Sequence, residues 1–256
     1  MTTTSIAGTS WFRRHRPAGE TRLQLVCLPH AGGAATFFHG WGGAVGDGVE
    51  VLAARYPGRQ ERIAEPCLTD MTELADAVAG ALIPLLDHPV ALFGHSMGAS
   101  LAYEVALRLE RHPNARLTGL FVSSREAPHR TTPKTLHLGS DASVFEEVER
   151  LGGADMALPD DPAVREMVLP ALRADFEIAG TYRASEPLPL RCPVVAYAGD
   201  QDPGVSERDM RLWSEVAGHE FDLRMMPGGH FYLVAEQQSL QRDISRRLNG
   251  SWLASS

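Results

Sequence analysis

A serine set between two glycines, an imidazole far downstream, and two carboxylates between them carry the chemistry this chain can offer. Gly94-His95-Ser96-Met97-Gly98 follows an apolar run, Val90-Ala91-Leu92-Phe93, and opens an amphipathic stretch from Met97 toward Glu110. A strand that feeds a helix through Gly-x-Ser-x-Gly is the setting of a nucleophile elbow, where a serine hydroxyl is pushed out of a sharp turn. The flanking glycines have a steric reason, because such a turn leaves no room for Cβ atoms beside the nucleophile. A serine hydroxyl attacks at neutral pH only if a base takes its proton, and an imidazole with its ordinary pKa of about 6.5 suits that task. His230 is placed for it, after Met225-Met226-Pro227-Gly228-Gly229 and before Phe231-Tyr232-Leu233. Asp200 and Asp202 both lie in Gly199-Asp200-Gln201-Asp202-Pro203, just past the apolar run Val194-Val195-Ala196-Tyr197-Ala198. A carboxylate there fixes the imidazole tautomer and stabilises the imidazolium that forms during reaction. The plain alternatives are that Ser96 is a helix N-cap and that either aspartate caps the helix after Ser206. His30 and His95 adjoin these positions and are read as loop-holding residues without a proton-transfer role.

The elements that must position these groups follow from the periodicity. Strand-length apolar runs recur at Leu23–Leu28, Val49–Ala53, Val90–Phe93, Leu117–Val122, Val194–Ala198 and Phe221–Met225. Between them lie helical stretches at Thr69–Leu86, Met97–Glu110, Ser206–Val216 and Phe231–Arg247; in the first, Leu74, Val78, Ala81, Leu82 and Leu85 share one face. Alternating strands and helices predict an α/β fold, a mostly parallel sheet covered by helices on both faces. Ligand sites of open α/β sheets lie at the carboxyl ends of the strands, so Ser96, His230 and the aspartates can converge there. The interval from Ser123 to Pro189 breaks the alternation. Its helical portions, Ser143–Leu151 and Asp161–Tyr182, read as a lid inserted over that edge, with Pro170 expected to bend or split the second helix.

Composition narrows the remaining classes. The 256 residues, 44% of them apolar, suffice for one large α/β domain spanning residues 1–256. A net charge of −8 argues against a nucleic-acid partner, and Arg13-Arg14-His15-Arg16 reads as a solvated patch. No apolar run approaches a membrane span, and Met1-Thr2-Thr3-Thr4 has no signal-peptide character, so a cytoplasmic protein without a membrane partner is expected. Cys27, Cys67 and Cys192 are widely spaced, which favours reduced thiols over disulfides or zinc. The one lysine, Lys134, follows no phosphate-binding loop, and Gly40-Trp41-Gly42-Gly43 lacks dinucleotide-fingerprint spacing. Neither a metal nor a resident cofactor is predicted.

Several segments together resemble the type II thioesterases that accompany polyketide and non-ribosomal peptide synthases, a branch of the α/β-hydrolases. They are Trp11-Phe12-Arg13-Arg14, Leu28-Pro29-His30-Ala31-Gly32-Gly33, Tyr56-Pro57-Gly58-Arg59-Gln60-Glu61-Arg62, the elbow through Ala99, Arg125-Glu126-Ala127-Pro128, Asp202-Pro203, Trp213 and Gly228-Gly229-His230-Phe231. Glu126 stands where the family often has a second arginine. The resemblance implies an α/β-hydrolase fold and a Ser96, Asp202, His230 triad in that chain order, with Asp202 preferred to Asp200 because similar hydrolases carry the acid third after the strand-ending glycine. It further implies an oxyanion hole from the backbone N–H groups of Met97 and Ala31. The implied substrate is an acyl thioester on the phosphopantetheine arm of an acyl or peptidyl carrier protein, and the implied role is clearing stalled or misloaded synthases. A monomer is expected, with Arg59, Arg62, Arg125 and Arg130 as candidates for attracting an acidic carrier. The competing readings are a serine esterase or acyltransferase acting on small esters, and a non-catalytic docking module that kept the fold.

Overall fold

All six apolar runs form strands, and a seventh joins them at one edge. The computed structural model describes residues 11–17, 19–152 and 161–250; Met1 to Thr4 lie outside them. In chain order the strands are β1 (Phe12–His15), β2 (Leu23–Leu28), β3 (Val49–Ala54), β4 (Val90–His95), β5 (Leu117–Ser123), β6 (Val194–Gly199) and β7 (Phe221–Met226). They lie in the order β1-β3-β2-β4-β5-β6-β7, with β1 antiparallel to β3 and every other pairing parallel. The strand β1 corrects the reading of a solvated patch for Arg13 and Arg14, while Arg16 stays largely exposed. Phe12 is buried, Arg13 pairs with Glu61, and Arg14 makes two 2.9 Å bonds to the carboxylate of Glu50. Its strand character is hidden because arginines follow the single inward phenylalanine.

The helices are α1 (Met71–Leu82), α2 (Met97–Glu110), α3 (Asp141–Gly152), α4 (Pro162–Thr181), α5 (Glu207–Arg211), α6 (Tyr232–Ala235) and α7 (Gln237–Asn249). Asp70 fixes the start of α1 by accepting from the Thr72 and Glu73 amides, satisfying donors that the helix leaves free. Strand β4 shows why both faces need cover. Val90 and Leu92 enter one core with α1 and α2, whereas Ala91 and Phe93 enter another with Trp41 and the α7 residues Leu240, Ile244 and Leu248. Buried on both sides, the central strands read as continuous apolar runs.

The inserted segment between β5 and β6 begins after Ser123, which is the last residue of β5. Its helices α3 and α4 share a small core of Val144, Phe145 and Leu172. Pro170 does not split α4, which runs unbroken from Pro162 to Thr181. The proline lies on the exposed face, as does Glu166, so the carbonyl that loses its helical donor faces water. Beyond Pro170 the helix is fastened to the body. Arg125 donates to the Ala179 carbonyl at 2.6 Å, and just past the helix the Tyr182 hydroxyl donates to Glu104 at 2.8 Å.

A close backbone contact joins the start of α2 to the end of β2. A Cβ at Gly98 would lie 2.1 Å from the Leu28 carbonyl oxygen and 2.6 Å from that of Pro29. Neither backbone atom can yield as a flexible side chain would. Gly98→Ala should therefore destabilise the protein by about 2–4 kcal/mol in denaturant unfolding. Gly80→Ala in α1, where an added Cβ meets nothing within 4 Å, should stabilise it by about 0.5–1 kcal/mol. Equal effects at the two sites would contradict this packing.

Candidate active site

Ser96 leaves β4 with φ 54° and ψ −121°, a left-handed backbone that a serine adopts only where the surroundings enforce it. From Val90 to Tyr103 it is the one residue that is not fully buried. Its side chain makes no capping bond to α2, and its φ and ψ are not those of an N-cap. The elbow therefore presents the hydroxyl outward. Ser96 lines a cavity of about 60 Å³ shared with Ala31, Ser124, Phe176 and His230.

His230 sits in the loop after β7, with Nδ1 2.9 Å from Oδ2 and 3.1 Å from Oδ1 of Asp202. The side chain of Asp202 is fully buried. Burial by itself raises a carboxyl pKa, but hydrogen bonding and charge from His230, the Gly204 amide and the Ser124 side chain outweigh it and hold Asp202 below the usual range. An ionised carboxylate can only accept, so the imidazole proton resides on Nδ1 and leaves Nε2 as an acceptor. That nitrogen is buried and makes no hydrogen bond among the described residues. Asp200 has a different partner: it accepts from the Gly228 amide at 2.9 Å and braces the turn before His230.

Two backbone donors complete the arrangement. In the turn after β2 the Gly33 amide bonds the His30 carbonyl at 2.9 Å, and the Gly32 amide bonds Asp175 at 2.7 Å. The Ala31 amide makes no hydrogen bond among the described residues, nor does that of Met97 in the first turn of α2, where helical donors have no internal partner. The glycine contact of Gly98 with the Leu28 and Pro29 carbonyls brings these two segments together. A site of this kind can place a nucleophile, a base and oxyanion donors around one carbonyl.

Two neighbours were not foreseen. Ser124, also at positive φ (50°), donates its hydroxyl to the His230 carbonyl at 3.3 Å. Asp175 lies on the inward face of α4 beside Leu172 and Ile178, and an acid at a core position of an amphipathic helix is the signal that could have marked it. Of the four arginines considered for carrier attraction, three point inward. Arg59 pairs with Asp175, Arg62 pairs with Glu65 and stacks on Trp11, and Arg125 holds Ser100 and Ala179. Arg130 remains half exposed beside Glu215.

The family model described as the thioesterase domain matches residues 23–248. The chain is 41% identical over 239 residues to Thioesterase PikA5 of Streptomyces venezuelae, covering 93% of this chain and 85% of that one. It is 34% identical to the gramicidin S biosynthesis protein GrsT of Aneurinibacillus migulanus, with 93% of each chain covered. Among solved structures, the type II thioesterase BorB from the borrelidin biosynthetic cluster superposes with a TM-score of 0.87 at 44% identity, over 96% of this chain and all of that one.

Behind the site, His30 and His95 are buried rings 5.8 Å apart, and His95 lies 5.1 Å from His230. The His95 Nδ1 meets the Ser123 hydroxyl at 2.9 Å, which meets the Tyr232 hydroxyl at 2.8 Å. Burial lowers the pKa of His30 to about 3 and that of His95 well below its ordinary value, reinforced in both by the charge of His230. The unfolded chain protonates both near pH 6.5 and so binds more protons than the folded one below that pH. Stability should hold constant above about pH 6.5 and fall as pH drops toward 4.5, by up to about 1.4 kcal/mol per pH unit for each histidine. Denaturant unfolding between pH 8 and 4.5 measures this, and His30→Gln should flatten the slope. A slope unchanged by that substitution would refute the assignment.

Proposed function

Because the chain belongs to the thioesterase domain family, we propose that it hydrolyses acyl thioesters held on the phosphopantetheine arm of carrier proteins, clearing stalled or misloaded polyketide or non-ribosomal peptide synthases. The observation that carries the reading is His230, bound to Asp202 through Nδ1 and open at Nε2, in one cavity with a serine on a strained elbow. The synthase context is drawn from the relatives, one named for gramicidin S biosynthesis and one from the borrelidin cluster.

In the proposed mechanism, His230 Nε2 takes the Ser96 proton as Oγ attacks the thioester carbon. The carbonyl π electrons move to oxygen, and the Ala31 and Met97 amides stabilise that oxyanion. Collapse breaks the C–S bond, and the imidazolium returns its proton to the departing sulfur, leaving acyl-Ser96 and the free thiol of the arm. Water, deprotonated by His230, attacks the acyl-enzyme by the same geometry and releases the free acid. Asp202 stabilises the imidazolium in both halves without taking a proton. Its depressed pKa keeps it ionised as the partner of the imidazolium.

Trapping of an acyl-enzyme from acylated carrier proteins, followed by intact-mass measurement, tests the reading. An adduct of acyl mass should map to Ser96 and be absent from Ser96→Ala. Ser96→Ala and His230→Ala should each lose on the order of 10,000-fold or more in kcat. Asp202→Asn should lose on the order of 1,000- to 10,000-fold, because an amide holds the wrong tautomer. Undiminished hydrolysis by Ser96→Ala would overturn the mechanism, and faster turnover of matched oxygen esters than of carrier thioesters would overturn the substrate class.

A further inference from the structure

The turn that offers the Ala31 amide is gripped from the lid. Asp175 of α4 accepts from the Gly32 amide at 2.7 Å through Oδ2, and the same carboxylate takes two bonds from Arg59, 2.5 Å to Oδ2 and 2.8 Å to Oδ1. Arg59 Nη1 also donates to the Gly33 carbonyl at 3.1 Å. The side chains of Arg59 and Asp175 are 10% and 2% exposed, so the pair works in a medium where charge-assisted bonds are strong. Three elements distant in sequence thus meet on two consecutive glycines.

The geometry of the turn shows what this grip accomplishes. His30 to Gly33 is closed by the Gly33 amide on the His30 carbonyl, Gly32 has φ +74°, and Ala31 is not among the residues with positive φ. These are the marks of a type II turn, which converts to type I by a half-rotation of its central peptide, the one joining Ala31 to Gly32. The N–H of that peptide is the group Asp175 holds. Leu172, one helical turn before Asp175, closes the space over the same glycine: a Cβ there would lie 2.4 Å from its Cδ2. On the far side the Tyr56 hydroxyl donates to the Pro29 carbonyl at 3.2 Å. The Ala31 N–H belongs to the preceding peptide, so the grip acts on it by holding the whole turn in place against the cavity that Ala31 lines.

We infer that Asp175 and Arg59 are a positioning pair, which fixes the oxyanion-donor turn in its type II form and makes the second donor depend on the placement of α4. The inference rests on the reading of Ser96 and Ala31 given above. Neither residue of the pair touches the reacting atoms. Their effect belongs to the transition state, when charge reaches the carbonyl oxygen, and not to binding of the ground-state thioester.

Steady-state hydrolysis and inhibition by an alkylboronic acid, which bonds through boron to the Ser96 oxygen and sets a boron-bound oxygen in the oxyanion site, test it in purified full-length protein. Asp175→Ala should lower kcat by about 10- to 100-fold, less than the roughly 100- to 1,000-fold typical for outright loss of a donor. KM should stay within about threefold. Boronate affinity should fall in parallel with kcat. Asp175→Asn, which keeps an acceptor for the Gly32 amide but not the charge for Arg59, should fall between wild type and Asp175→Ala, and it provides the readout if the alanine variant does not fold. Wild-type kcat and boronate affinity in either folded variant would overturn the inference, as would a loss expressed only in KM or in melting temperature. Activity surviving in Ser96→Ala is a distinct failure, of the nucleophile itself.

Discussion

The site exists because two stretches of backbone are allowed to touch. The start of α2 rests on the carbonyls of Leu28 and Pro29 at a distance that excludes any Cβ at position 98, and Gly94 is closed to one by the Gly98 carbonyl in the same way. Side chains elsewhere in the fold adjust by rotamer changes; a backbone contact cannot. That contact joins the segments that carry the Met97 and Ala31 amides, and Ser96 takes a positive-φ backbone at the edge of the cavity that it lines. Strand β5 adds a second strained serine, Ser124, bonded to the His230 backbone. Strain at both strand ends is sustained by a central sheet buried on each face, which has little freedom to relax.

Charge is distributed around this frame so that one imidazole has an anionic partner and its two neighbours do not. Asp202 is held in its ionised form although its side chain is wholly buried, because His230 and the Gly204 amide donate to it. His30 lies against the rings of Phe37 and Phe231 and feels the positive charge of Arg59, His95 meets the Ser123 hydroxyl, and burial favours the neutral form of both. Two cations beside His230 would oppose formation of the imidazolium. Their neutrality leaves Asp202 as the dominant charge acting on the base.

The fold and the three side chains at its centre were legible because each rests on local pattern. Buried central strands produce apolar runs, an elbow needs its glycines, and a carboxylate and an imidazole just past strand ends fall at the same edge. Strand β1 was not legible, since an edge strand built as Phe12-Arg13-Arg14-His15 buries one side chain and satisfies its arginines with distant acids. Between Asp200 and Asp202 the local pattern alone did not decide, and the preference for Asp202 came from similarity to other hydrolases. Both are two residues apart in one loop, and only the path of the chain decides that one braces Gly228 while the other meets His230. Arg59 could be named as a candidate for a carrier contact but not placed, because its partner, Asp175, is far away in sequence.

The inserted helices are held to the body unequally along α4. The C-terminal half of α4 carries Leu172 and Asp175 against the turn after β2 and is tied further by Arg125 and Tyr182. The N-terminal half, before Pro170, exposes Glu166 and Met167, and its Val168 and Leu169 join the core that α3 also shares with Leu172. A cavity of about 60 Å³ holds only a few waters, so a longer acyl group needs room that this arrangement does not provide. Withdrawing the C-terminal half would create that room by releasing Gly32, at the expense of the oxyanion donor. Room gained from α3 and the first turns of α4 leaves Asp175 in place. Pro170, which already lacks one helical hydrogen bond, stands between the half of α4 that holds Gly32 and the half that exposes Glu166 and Met167.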